Sequence, residues 1–113
     1  MALSAFDIDC NEQLEKIRST VTLTENGLFE LDQSYYQGAL LEKPQLYTEK
    51  LANLLHYDEN KKTTLTEWHY AIAKAMQIVA EEIATHILNY LYNQTLCENL
   101  VLGGGFFMNS VFN

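Results

Sequence analysis

TLTEWHYAIAKAMQIVAEEIATHILNYLYNQ, residues 64–94, is the stretch on which the fold turns. Ile72, Met76, Val79, Ile83, Ile87 and Leu91 recur at steps of three and four, the spacing of one helical face. Ala73, Ala80, Ala84 and Leu88 broaden that stripe, while Lys74, Glu82, Thr85 and Asn89 take the opposite side. A stripe this wide suits contact with a sheet or with two partners better than a coiled-coil seam. Thr64 and Glu67 have capping-box spacing, so the expected helix starts near residue 64 and ends near 94. Trp68, Tyr90 and Tyr92 read as core or rim packing rather than as a cofactor box.

Beyond the helix comes NLVLGGGFFMNSVFN, residues 99–113. Leu100, Val101 and Leu102 form a short apolar run bounded by glycine, which predicts a buried strand. Gly103, Gly104 and Gly105 let the backbone turn with no Cβ in the way, so a ligand can approach the main chain. The residues from Phe106 onward can open a helix whose first N–H groups face an anion. Strand, glycine turn and helix start make a nucleotide-contact device. The plainer reading is a flexible turn, because a lone glycine run is a weak signal.

Upstream of the long helix the elements are short. Asn11 can cap a helix reaching about Thr20, with Leu14 and Ile17 on its inner face. Two short alternating runs flank Glu25-Asn26-Gly27, and Asn-Gly tolerates the positive φ of a tight turn, so residues 22–31 read as a β-hairpin. Tyr35 and Tyr36 follow it, either as a stacking platform or as a cover over the core. Pro44 ends the next turn. Leu46, Leu51, Leu54, Leu55 and Tyr57 then share a helical face that stops in a polar linker at 58–62.

Composition narrows the function classes. At 113 residues the chain makes at most one small domain. A hydrophobic share of 48% is ordinary for a globular protein and argues against global disorder. With a formal net charge of −8 and only seven Lys and Arg, no patch can cover nucleic-acid phosphates. No apolar run approaches the roughly 18 residues of a membrane span, and nothing at the start resembles a signal peptide. Cys10 and Cys97 lack metal spacing and read as free thiols of a reducing compartment, so the expected location is cytoplasmic.

Catalytic sets are equally constrained. His69 and His86 are seventeen positions apart and fall on different helix faces at about 100° per residue, so they cannot share a metal. Neither they nor His56 belong to a spaced metal motif, and the adjacent Glu81 and Glu82 do not face each other. No catalytic triad follows from spacing.

Four segments nevertheless carry a resemblance. NLVLGGGFFMNSVFN resembles the "nLcLaGGvalNcvaN" stretch of the O-carbamoyltransferase family of nodulation proteins and antibiotic-modifying enzymes, with Gly104, Gly105, Asn109 and Asn113 in matching places. MALSAFD is similar to that family's "MGLApYG". NGLFELDQSYY resembles its "dGsFrLdlsyF" hairpin through Phe29, Leu31, Asp32 and Tyr36. His69, Ala73 and Gln77 are similar to its "h..iA...Q" helix. The four occur in the family's order over nearly the whole chain.

The resemblance implies a mainly α chain with a small β component (α+β), a fragment of an actin-like, sugar-kinase-like ATPase domain spanning 1–113 as one unit. Such enzymes form a carbamoyl-adenylate from carbamoyl phosphate and ATP, then pass the carbamoyl group to a hydroxyl acceptor. Gly103, Gly104 and Gly105 would be the adenosine-side contact, with Asn109 helping to hold the nucleotide through its amide. The complete enzyme would also use a metal ion, whose ligands, with the phosphate loop and the histidine pair, lie outside this chain. Both flanking parts are therefore expected to be missing, and the piece to be inactive alone. Three departures stand out: Asp7 replaces a glycine, Gly103 an alanine, and Phe106 and Phe107 stand where small residues are usual. The uncovered strand and its apolar side chains predict a homodimer. The competing reading is an acidic helical protein-interaction module with no catalytic role.

Overall fold

The computed structural model describes residues 2–37, 46–58 and 64–112, so Pro44, the linker positions 59–62 and Asn113 lie outside the described residues. After a 3-10 turn at Ala2–Ala5 come α1 (Asn11–Arg18), β1 (Val21–Leu23), β2 (Phe29–Leu31), α2 (Glu49–Leu54) and α3 (Glu67–Thr95). A second 3-10 turn, Gly105–Met108, follows. The architecture is mixed α+β and mainly helical. At 1.5 Å per residue the 29 residues of α3 span ~43 Å and set the molecule's long dimension of 50 Å.

The N-cap of α3 is Thr66, two residues later than the capping-box spacing predicts. Residues 64–66 precede the helix, so Glu67 is its first residue and cannot reach back to a cap. His69 takes that role: its Nδ1 accepts the Thr66 N–H at 3.0 Å. Leu96, in the left-handed region at φ 51°, ends the helix and donates its N–H to the Tyr92 carbonyl at 2.7 Å. Asn11 likewise proves to be the first residue of α1 rather than its cap, and the Asp9 carboxylate accepts its N–H at 3.0 Å. In α2, Thr48 is the cap, with Leu46 lying outside the helix and exposed.

The buried side of α3 shares Val79 and Ala84 with the predicted stripe but is shifted off most of its large residues. Ala71, Ala75 and Val79, at steps of four, pack against Cys10, Leu14 and Ile17 of the α1 region. Ala75 has no exposed surface at all, whereas Met76 is 47% and Leu91 48% exposed. Alanines let α1 approach the helix axis closely, and close approach excludes water more completely than a bulky but uncovered face. Ile83 and Ile78 are only partly buried against this cluster.

The hairpin forms where expected. β1 and β2 pair antiparallel with Val21 opposite Leu31, Thr22 opposite Glu30 and Leu23 opposite Phe29. Gly27 supplies the positive φ of the turn at 75°. The turn also rests on α3: His86 Nε2 donates to the Thr24 carbonyl at 2.9 Å, and Gly27 lies directly against Tyr90. Tyr36 serves as cover, its hydroxyl 2.7 Å from Thr20 Oγ1, while Lys50 Nζ sits 4.0 Å above the Tyr35 ring.

The predicted strand at 100–102 is absent. Those residues have no regular structure, and Val101 is 95% exposed. Among the described residues the only sheet is the β1–β2 pair, so no neighbouring strand meets their N–H and C=O groups.

One long-range ion pair joins α1 to α3. Arg18 forms a forked pair with Glu82, Nε to Oε2 at 3.0 Å and Nη2 to Oε1, and also reaches Glu15 at 2.7 Å. The Arg18 hydrogen bond holds the Glu82 carboxyl below its ordinary pKa. A depressed folded-state pKa contributes stability above the ordinary carboxylate range, lost as pH falls through the folded value. The melting-temperature gap between the native chain and Arg18→Gln should therefore close as pH falls below the ordinary carboxylate range and through the depressed folded value of Glu82. A gap of the same size on both sides of that fall would show that the pair is not linked to folding.

Candidate functional site

The glycine segment is an annex moored to the long helix. Gly104 has φ 94° and ψ 169°, a backbone region open essentially to glycine alone. Its carbonyl accepts the Phe107 N–H at 3.2 Å, starting the Gly105–Met108 turn. Asn109 then donates its N–H to the Phe106 carbonyl at 3.1 Å and accepts that of Phe112 at 3.1 Å. The rings of Phe106, Phe107 and Phe112 gather with centroids 5.2 to 5.9 Å apart. In place of the expected helix start there is a single 3-10 turn, too short to carry a helix dipole.

Asn109 ties this annex down. It is 8% exposed, and its Nδ2 donates to Gln77 Oε1 at 2.8 Å. Its Oδ1 accepts the Val111 N–H at 3.1 Å. Gln77, also 8% exposed, passes its own Nε2 to Glu81 Oε1 at 2.7 Å. Both polar atoms of the Asn109 side chain thus have partners inside the protein. Asn109 therefore holds the chain together, with one amide hydrogen and one carbonyl lone pair of its side chain spent in doing so.

The three glycines differ in what the fold asks of them. Gly104 is required by its φ. Gly103 and Gly105 lack a positive φ, and a Cβ built on any of the three would meet no atom within 4 Å among the described residues. Nothing in the backbone angles or the packing needs glycine at 103 or 105. Phe106 and Phe107, for their part, lie with Phe29, Ala84 and Leu88 around an apolar cavity of about 400 Å³ against α3.

Among the described residues, carboxylates held below their ordinary pKa are Glu12, by the hydrogen bond from Lys16, Asp32, by those from Ser34, and Glu82, by Arg18. Depressed values keep them ionised as pair partners. Among the described residues no group of three His, Cys, Asp or Glu side chains is placed to hold a metal ion, and no helix is long and apolar enough to cross a membrane.

Gln77 is the residue whose role spacing alone does not reveal. Its signal is faint: with Ala73, Ala80 and Ala84 it falls at helical steps on one face, and a polar residue among apolar ones needs a partner if buried. No protein-family model, curated protein or solved structure matches the chain.

Proposed function

We propose that the chain is a segment of a cytoplasmic, ATP-dependent O-carbamoyltransferase, part of an actin-like ATPase domain. In the complete enzyme carbamoyl phosphate and ATP give a carbamoyl-adenylate, and a hydroxyl acceptor takes the carbamoyl group. This piece contributes the adenosine-side contact through the main chain at Gly103, Gly104 and Gly105, with Asn109 behind it. A metal ion belongs to the complete enzyme, not to residues of this segment. The observation that carries the reading is that Gly103 and Gly105 are glycines which neither backbone angle nor packing requires. Close approach of something outside the chain is a physical use for a missing Cβ, beside the flexibility of a plain turn. The ordered resemblance of the four segments supplies its chemistry.

An ATP titration followed by amide NMR tests this. The expected result is a shift of the Gly103, Gly104 and Gly105 amides that Gly105→Val abolishes. The same substitution should change stability by no more than about 0.5 kcal/mol, since the position is open. Amides that ignore ATP would favour the second reading, an acidic helical interaction module. What favours that second reading is the exposure of Leu91, Tyr92, Leu96, Leu100 and Val101 around the end of α3, on a chain of net charge −8.

The same exposed side chains underlie the expected homodimer, now through apolar contact rather than strand pairing. Burying each fully is worth roughly 1.5–3 kcal/mol. Light scattering after size exclusion should give twice the 13.0 kDa chain mass, and a monomer mass at micromolar concentration would remove the dimer.

A further inference from the structure

A buried side-chain hydrogen bond from Asn109 to Gln77 reaches across 32 residues and joins the glycine segment to the long helix. We propose that Gln77 is the positioning residue of the nucleotide contact, acting through Asn109 to hold the glycine segment against α3; the nucleotide part of this rests on the carbamoyltransferase reading.

The chemistry is a relay through two amides that starts at a carboxylate. Glu81 accepts from Gln77 Nε2, which orients the Gln77 amide so that its Oε1 faces Asn109. Gln77 Oε1 accepts from Asn109 Nδ2, which in turn aims Asn109 Oδ1 at the Val111 N–H. Each bond thus selects the orientation of the next group. Among the described residues, backbone bonds from Phe107 to Gly104, Asn109 to Phe106 and Phe112 to Asn109 shape the turn itself. Phe106 is 44% and Met108 80% exposed, leaving apolar contact with α3 incomplete. Burial of Gln77 and Asn109 makes their bond costly to break, because each amide would be left unsatisfied away from water. A directional bond at that point fixes where Gly103, Gly104 and Gly105 lie relative to the helix. It is a positioning role, since the bonds of Gln77 run to Glu81 and Asn109 and act on the glycines only through the chain.

The experiment has a ligand-free arm and a ligand arm, on the full chain. Hydrogen exchange is measured at the Val111 and Phe112 amides and at Val79 in α3, in the native chain, Gln77→Met and Asn109→Ala. Methionine keeps the length of the side chain and removes both hydrogen bonds. The expected result is at least tenfold faster exchange at 111 and 112 in both variants, with Val79 changed less than threefold. The double variant Gln77→Glu with Glu81→Gln exchanges the two groups, so the carboxylate introduced at position 77 accepts from both Asn109 Nδ2 and the amide introduced at position 81. It should return exchange to within threefold of native. ATP affinity, read from the glycine amide shifts, should fall at least fivefold in Gln77→Met and recover in the double variant. Unchanged exchange at 111 and 112 in both single variants overturns the mooring. Faster exchange with unchanged ATP affinity overturns the positioning role. A native chain that ignores ATP while the exchange contrast persists overturns the nucleotide reading and leaves the mooring standing.

Discussion

Gly27→Val is expected to destabilise the chain by about 3 kcal/mol or more, from two costs that act at the same atom. Gly27 sits at φ 75°, where an L side chain is strained and a β-branched one is worst placed. Such strain costs about 1–3 kcal/mol. The second cost is steric: a Cβ there would stand 2.4 Å from Tyr90 Cγ and 2.5 Å from its Cβ. A rotamer change moves Cγ but not Cβ, which the backbone fixes, so either the hairpin or the helix must move. Overpacking of that kind adds about 1–3 kcal/mol. Movement would also pull Thr24 from His86, losing the bond that holds the turn to α3. The melting temperature should fall by more than about 10 °C. A double-mutant cycle of Gly27→Ala with Tyr90→Gly separates the two costs, because removing the ring together with its Cβ relieves the clash and leaves the strain. A cycle with no coupling, or a native melting temperature for Gly27→Val, would show that the turn does not rest on the helix.

That contact illustrates what the amino-acid sequence discloses and what it withholds. Asn26-Gly27 announces a hairpin because its requirement is local: one residue with positive φ between two short β runs. The long helix is equally plain, since its periodicity holds over many turns. What periodicity cannot say is which flank of the helix meets a partner. Ile72, Met76, Ile83, Ile87 and Leu91 dominate any count of hydrophobicity, yet the closest packing falls on Ala71 and Ala75. Their value comes from being small opposite α1, a tertiary fact. The run at 100–102 fails for the same reason in reverse: an apolar triplet becomes a strand only if another strand pairs with it. In the candidate site, the glycines are legible as residues and Asn109 as an amide. Their arrangement is not, because the partner of Asn109 lies 32 residues away on another element.

Ala75→Asp is expected to have the larger effect, about 4 kcal/mol or more, because Ala75 is where α1 and α3 come together. It is 0% exposed and belongs to the cluster formed by Cys10, Leu14, Ile17, Ala71 and Val79. A carboxylate placed there would be surrounded by apolar side chains and the thiol, with no cation in the cluster. Leaving an uncompensated charge in a buried position costs about 3–5 kcal/mol, or the group takes up a proton and moves that cost into its pKa. Added volume against Leu14 and Ile17 then acts in the same direction. Domains of this size have only about 5–15 kcal/mol in total, so a large fraction of the variant should be unfolded at 37 °C. Ile83→Asp, on the large-residue stripe but only partly buried, should cost clearly less, because its carboxylate can reach water. Denaturant midpoints of the two variants decide which face holds the fold together. If Ile83→Asp proves the more damaging, the core lies under the isoleucine stripe and the close packing of α1 on Ala75 is not what stabilises the chain.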